Sequence, residues 1–175
     1  MRFTNSILAL AGALAMTGCS SLVSLNPFVA EQDAVPDPAL AGVWSGGNGD
    51  ATYVIRPDGR GYTITYMEKS GAVRFQARLM VAGDAELLDL VSADDNGFQL
   101  PVHTVVRVWA SGNSLRFAFL DSEWLRAQAA RQLTTAPTGD RLLITAPGEA
   151  VRTFLLNLGA DEKACGKTEL LDRVQ

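Results

Sequence analysis

The chain has 175 residues, a formal net charge of -4 and only two cysteines. An acidic balance repels phosphate backbones and anionic surfaces, so nucleic acid is excluded as an electrostatic partner. Two cysteines cannot make a disulfide-dense scaffold, and the fold must stand on its hydrophobic core.

Arg2 gives the first residues a positive charge, and an apolar run over residues 7–16 follows it. Such a run is the core of a signal peptide and is too short to remain as a membrane-spanning helix. It ends in Met16-Thr17-Gly18-Cys19, which resembles the lipobox of bacterial lipoproteins. That resemblance implies a diacylglyceryl group on the Cys19 thiol, cleavage just before it, and acylation of the new amino terminus. Ser20 stands where an Asp would signal retention in the inner membrane, so the resemblance places the anchor in the outer membrane, facing the periplasm. Residues 1–18 are then the signal. Residues 19–39, with Asn26-Pro27, Pro36 and Pro38 and no sustained period, read as the lipidated cysteine and a flexible tether.

Residues 40–175 are of ordinary size for one domain. From residue 41 to 120 turn signals recur every eight to twelve residues or so, between segments rich in β-branched and aromatic side chains. The expected strands cover residues 43–45, 52–56, 62–67, 73–81, 86–91, 102–109 and 115–120. Pro57-Asp58-Gly59 and Ser111-Gly112-Asn113 between them are tight-turn chemistry. Val73, Phe75, Ala77, Leu79 and Val81 alternate with Arg74, Gln76 and Arg78, and Leu115, Phe117 and Phe119 alternate with Arg116 and Ala118. Alternation of this kind marks strands with one face on a core and the other on water.

After Leu120 the period changes. Asp121 or Ser122 can cap a helix with Glu123 in its first turn and a body over residues 124–133. Residues 141–145 read as one more short strand. Pro147 then opens a second helix in which Val151, Phe154, Leu155 and Leu158 fall on one face, with Gly159 placed to close it. The tail from Ala160 is polar, with Leu170-Leu171 docking at its end. The fold class expected is mainly β (α+β): an antiparallel meander sheet, open or partly closed as a barrel, with two packed helices.

The segment Leu100-Pro101-Val102-His103-Thr104, with Arg107-Val108, Leu115 to Asp121 and Trp124-Leu125, resembles a set of uncharacterised exported bacterial proteins, which implies no activity. Gly42-Val43-Trp44 resembles the Gly-x-Trp of the first lipocalin strand. Lipocalins are closed barrels that bind small apolar ligands, and the likeness implies such a pocket. Against it, a lipocalin places its main helix after eight strands, whereas here a helix is expected after about seven.

The chain offers little to catalysis. His103 is its single histidine, so it supplies no multi-histidine zinc site, and no Gly-x-Ser-x-Gly elbow accompanies it. Ser92, Asp94, Asn96 and Gly97 imitate part of a calcium loop, but His103 stands where the closing carboxylate should be. Asp50 beside Gly46-Gly47 argues against a phosphate cradle. Cys165 has no partner once Cys19 carries lipid, and reads as a small structural side chain. The acidic pairs Glu86 with Asp89 and Asp121 with Glu123 are the remaining acid–base candidates. No metal or cofactor is expected. The function expected is that of a non-enzymatic lipoprotein, held at the membrane by its lipid and acting in the envelope through docking or structure. The alternative is lipocalin-like binding of a small apolar ligand or lipid, for which Trp44, Phe75, Phe117 and Phe119 are the candidate contacts.

Overall fold

A computed structural model describes residues 22–46, 49–94, 100–138, 141–158 and 161–174. The signal, Cys19, Asn96, Gly97 and Gly159 lie outside these residues.

The expected strands form with longer bounds: β2 (Gly42–Gly46), β3 (Ala51–Asp58), β4 (Gly61–Glu68), β5 (Gly71–Ala82), β6 (Ala85–Ser92), β7 (His103–Ser111) and β8 (Ser114–Leu120), following a short β1 (Leu22–Ser24). Each pairs antiparallel with the next from β2 to β8, as short hairpin connections dictate. The sheet does not stay open. A last strand, β11 (Cys165–Arg173), lies antiparallel between β8 and β2 and completes an eight-stranded barrel. The polar tail expected from Ala160 is therefore a wall of the barrel. Its pattern hides this because only Leu171 is buried along its length, while Leu170 faces out.

The insertion between β8 and β11 carries α1 (Ser122–Gln132), a hairpin of β9 (Thr135–Thr138) and β10 (Arg141–Ile144), and α2 (Gly148–Leu158). The Asp121 carboxylate caps α1 by accepting from the Trp124 N–H at 2.8 Å. Along α2, Val151, Phe154, Leu155 and Leu158 are buried, as their spacing predicts.

Two apolar clusters result. One fills the closed half of the barrel and includes Leu40, Trp44, Ile55, Leu79, Leu88 and Leu171. The other lies outside the wall, where Met80, Ala82, Ala85, Leu87 and Val105 meet Phe28, Val29, Leu125 and Phe154. Strands β5 to β7 are thus buried on both faces over part of their length. This departs from the one-wet-face expectation for β5.

The outer cluster also corrects the tether. Residues 22–40 are packed as a strap: β1 pairs parallel with β10 and touches β7 at His103, and Val29 and Ala34 are fully buried. Polar groups hold the strap down. The Asp89 carboxylate, 3 % exposed, accepts from the Phe28 and Val29 N–H groups and from the His103 ring. Arg152 on α2 pairs with Asp33 at 2.8 Å. Arg60 donates to the Glu31 and Ala34 carbonyls. All of these contacts lie within residues 22–174.

Candidate functional site

Inside the barrel the two ends differ. At one end a 3-10 turn, Pro38–Leu40, lies beneath Trp44. The Trp44 indole donates to the Leu40 carbonyl at 2.9 Å, and the Arg173 guanidinium stacks on the ring at 4.1 Å while donating to the Ala39 and Ala41 carbonyls. Gly42 is required here: its φ is +148°, and a Cβ would stand 2.3 Å from the Arg173 guanidinium. Trp44 is fully buried and plugs this end.

Towards the other end, where the β2–β3, β4–β5 and β6–β7 connections lie, the barrel is hollow. A cavity of about 420 Å³ opens there. Its wall is built by strand alternation, which turns every second residue inward. Phe75 stands in register with Ile64 and Ser92, and Phe117 with Val108. Tyr53, Phe117 and Phe119 form a chain of tilted and edge-on rings at 5.9 and 6.2 Å, with Tyr66 a further 5.0 Å from Tyr53. Val23 of the strap and Arg141 of β10 also line the space. Three of the four contacts expected from sequence, Phe75, Phe117 and Phe119, are therefore brought together on this wall, and Trp44 is under the floor.

The polar side chains on the wall are Tyr53, Tyr66, Ser92, Thr104 and Arg141. Burial is the main cause that holds the Tyr66 hydroxyl ionisation up at about 12; its hydrogen bond to Glu68 and the Glu68 and Glu169 charges add to it. Burial likewise raises Tyr53, with Tyr66, Glu169 and Glu68 contributing. Both rings therefore remain neutral hydrophobic surface at physiological pH. Sequence reasoning missed Tyr53, Tyr66, Val23 and Arg141. The two tyrosines share the inward phase of Ile55 and Ile64, a signal available in the pattern, whereas nothing local in sequence points Val23 or Arg141 at the barrel.

The acid–base candidates are not assembled. Glu86 and Asp89 differ by three positions on one strand and so point to opposite faces of the wall. Burial and the nearby Asp37 raise the Glu86 carboxyl above its ordinary range at the closed end. Asp121 is spent on the helix cap. His103 faces outward onto Asp89. The imitation calcium loop turns Asp94 towards Arg74 at 3.3 Å instead, and no cluster of three metal-ligating side chains occurs among the described residues. Cys165 is free and half-buried. A second hollow of about 440 Å³ lies outside the barrel beside Arg60, Arg78 and His103, but Arg60 and Arg78 are engaged by the strap's Glu31 and Ala34.

No family model matches the chain, and no curated protein and no solved structure is found to be similar to it. No described helix is long and apolar enough to cross a membrane.

Proposed function

We propose that this protein is a lipid-anchored envelope lipoprotein that carries a small apolar ligand inside its barrel. The observation that carries the reading is the open, largely apolar cavity of about 420 Å³ above the Trp44 plug. Ordinary small-molecule sites run from about 300 to 1,000 Å³ and combine an apolar wall with a few polar groups. The wall is mainly rings and aliphatic side chains, and no histidine, carboxylate or lysine among the described lining residues stands ready to activate its hydroxyls, which favours carriage over chemistry. The lipocalin resemblance at Gly42-Val43-Trp44 supports the same reading, since it implies a closed barrel around one ligand. Met16-Thr17-Gly18-Cys19 supports the anchor, and Ser20 supports the outer membrane, facing the periplasm.

The chain from Ser20 onward, expressed without signal and anchor and purified without detergent, tests the cavity. Native mass spectrometry is expected to show one apolar molecule per chain, or, for the empty protein, stoichiometric uptake of N-phenyl-1-naphthylamine with enhanced emission. Neither adduct nor uptake would overturn the reading. Metabolic labelling with a palmitate analogue tests the anchor: the wild type should be tagged, and label persisting in Cys19→Ala would defeat it.

A further inference from the structure

The cavity is polarised along its length. Near the Trp44 plug its wall is Ile55, Leu88, Val106, Val108, Leu115 and Leu171. At the open end stand Tyr66, Ser92, Thr104 and Arg141. Arg141 is the charged member of this lining, and it is partly buried, whereas Arg56 and Arg131, which also lack an ion pair among the described residues, are exposed to water. Arg74, Arg78 and Arg152 pair with carboxylates, Arg60 and Arg173 donate to backbone carbonyls, and Arg107 and Arg116 stack on Trp109. No ion pair or side-chain hydrogen bond among the described residues engages Arg141. The described carboxylates at this end are engaged elsewhere: Glu68 of β4 accepts from the Tyr66 and Ser70 hydroxyls, Asp50 pairs with Lys69, and Asp94 pairs with Arg74.

Half-burying a guanidinium at the rim of an apolar hole costs solvation, and with no offsetting partner among the described residues an anion from outside would supply one. Its planar fork matches a carboxylate or a phosphate with two parallel hydrogen bonds. The depth below it suits a chain: at about 30 Å³ for each methylene-sized group, the volume of one water in the liquid, the cavity holds on the order of 14 carbons. That volume matches one acyl chain of ordinary length.

Building on the carrier reading, we infer that the ligand is a single-chain anionic amphiphile, its tail in the barrel towards Trp44 and its carboxylate or phosphate head on Arg141.

Displacement of N-phenyl-1-naphthylamine from the chain beginning at Ser20 tests this with three ligands below their micellar concentrations: tetradecanoate, tetradecyl phosphate and tetradecanol. At least one of the anions should displace the probe at a concentration about tenfold or more below the alcohol. The preferred anion distinguishes a free fatty acid from a phosphate-bearing lipid. In Arg141→Gln that advantage should vanish while the neutral probe and tetradecanol still bind, which also shows that the variant is folded. Equal displacement by all three ligands, or an advantage that survives Arg141→Gln, would overturn the anionic head while leaving the carrier reading intact. Failure of the probe itself to bind would remove both.

Discussion

Tyr53, Tyr62 and Tyr66 are all the tyrosines in the chain, and each has its ionisation raised chiefly by burial, that of Tyr66 to about 12. Unfolded tyrosines titrate near 10, so above that pH the unfolded chain loses protons that the folded one retains. Folding stability contributed by these rings is thus intact below about pH 10 and lost as pH rises beyond it. Absorbance at 295 nm should begin to rise at a higher pH in the native protein than in denaturant, where the rise falls near pH 10. A native transition at 10 would show the rings to be wet. Gly42 gives a second prediction at this scale. Gly42→Ala forces a Cβ onto Arg173 and a side chain into an unfavourable φ, so urea unfolding should show a loss of more than about 1 kcal/mol. The sequence offers Gly42 and Trp44 as a motif, yet the reason for the glycine resides in Arg173, well over a hundred residues away, and no local reading contains it.

At the scale of elements, strands with alternating residues and helices with an apolar stripe were legible because their period is set by the one face they bury. For α2 this permits a contrast. Phe154 is 2 % exposed and Leu156 37 %, so Phe154→Ala should cost about 3–5 kcal/mol in chemical denaturation, and Leu156→Ala far less. Comparable small losses would mean that α2 does not pack. Three elements were not legible. β11 closes the barrel through backbone pairing on both edges and buries Leu171 alone, so it lacks the alternation that reveals the others. β1 is too short to show any period, and the strap around it is rich in proline and polar residues. Its order comes from Asp89, Arg60 and Arg152, side chains on other elements. β9 carries Pro137, which suits the unpaired edge where the sheet ends.

For the molecule as a whole, the pattern of residues 43–120 permitted the barrel but did not decide whether it closes, because closure depends on β11 and on the plug formed by Leu40, Trp44 and Arg173. The cavity follows from that closure, since the helices that were available to fill an open sheet pack on the outside instead. The outer layer has a mechanical meaning too. If the proposed lipid sits on Cys19, only three positions along the chain separate it from Leu22, where β1 begins, a reach of at most roughly 10 Å. Val23 of β1 is itself part of the cavity wall. On the proposed anchor, so short a leash would keep the opening close to the lipid headgroups, where a hydrocarbon tail could pass between bilayer and barrel with little travel through water. A flexible Gly/Ser linker of about twenty residues inserted between Ser21 and Leu22 would lengthen the leash to some 25 Å on average. Ligand affinity should not change, but the rate of ligand exchange with vesicles bearing the anchored protein should fall several-fold. An unaltered rate would show that the ligand travels through the aqueous phase.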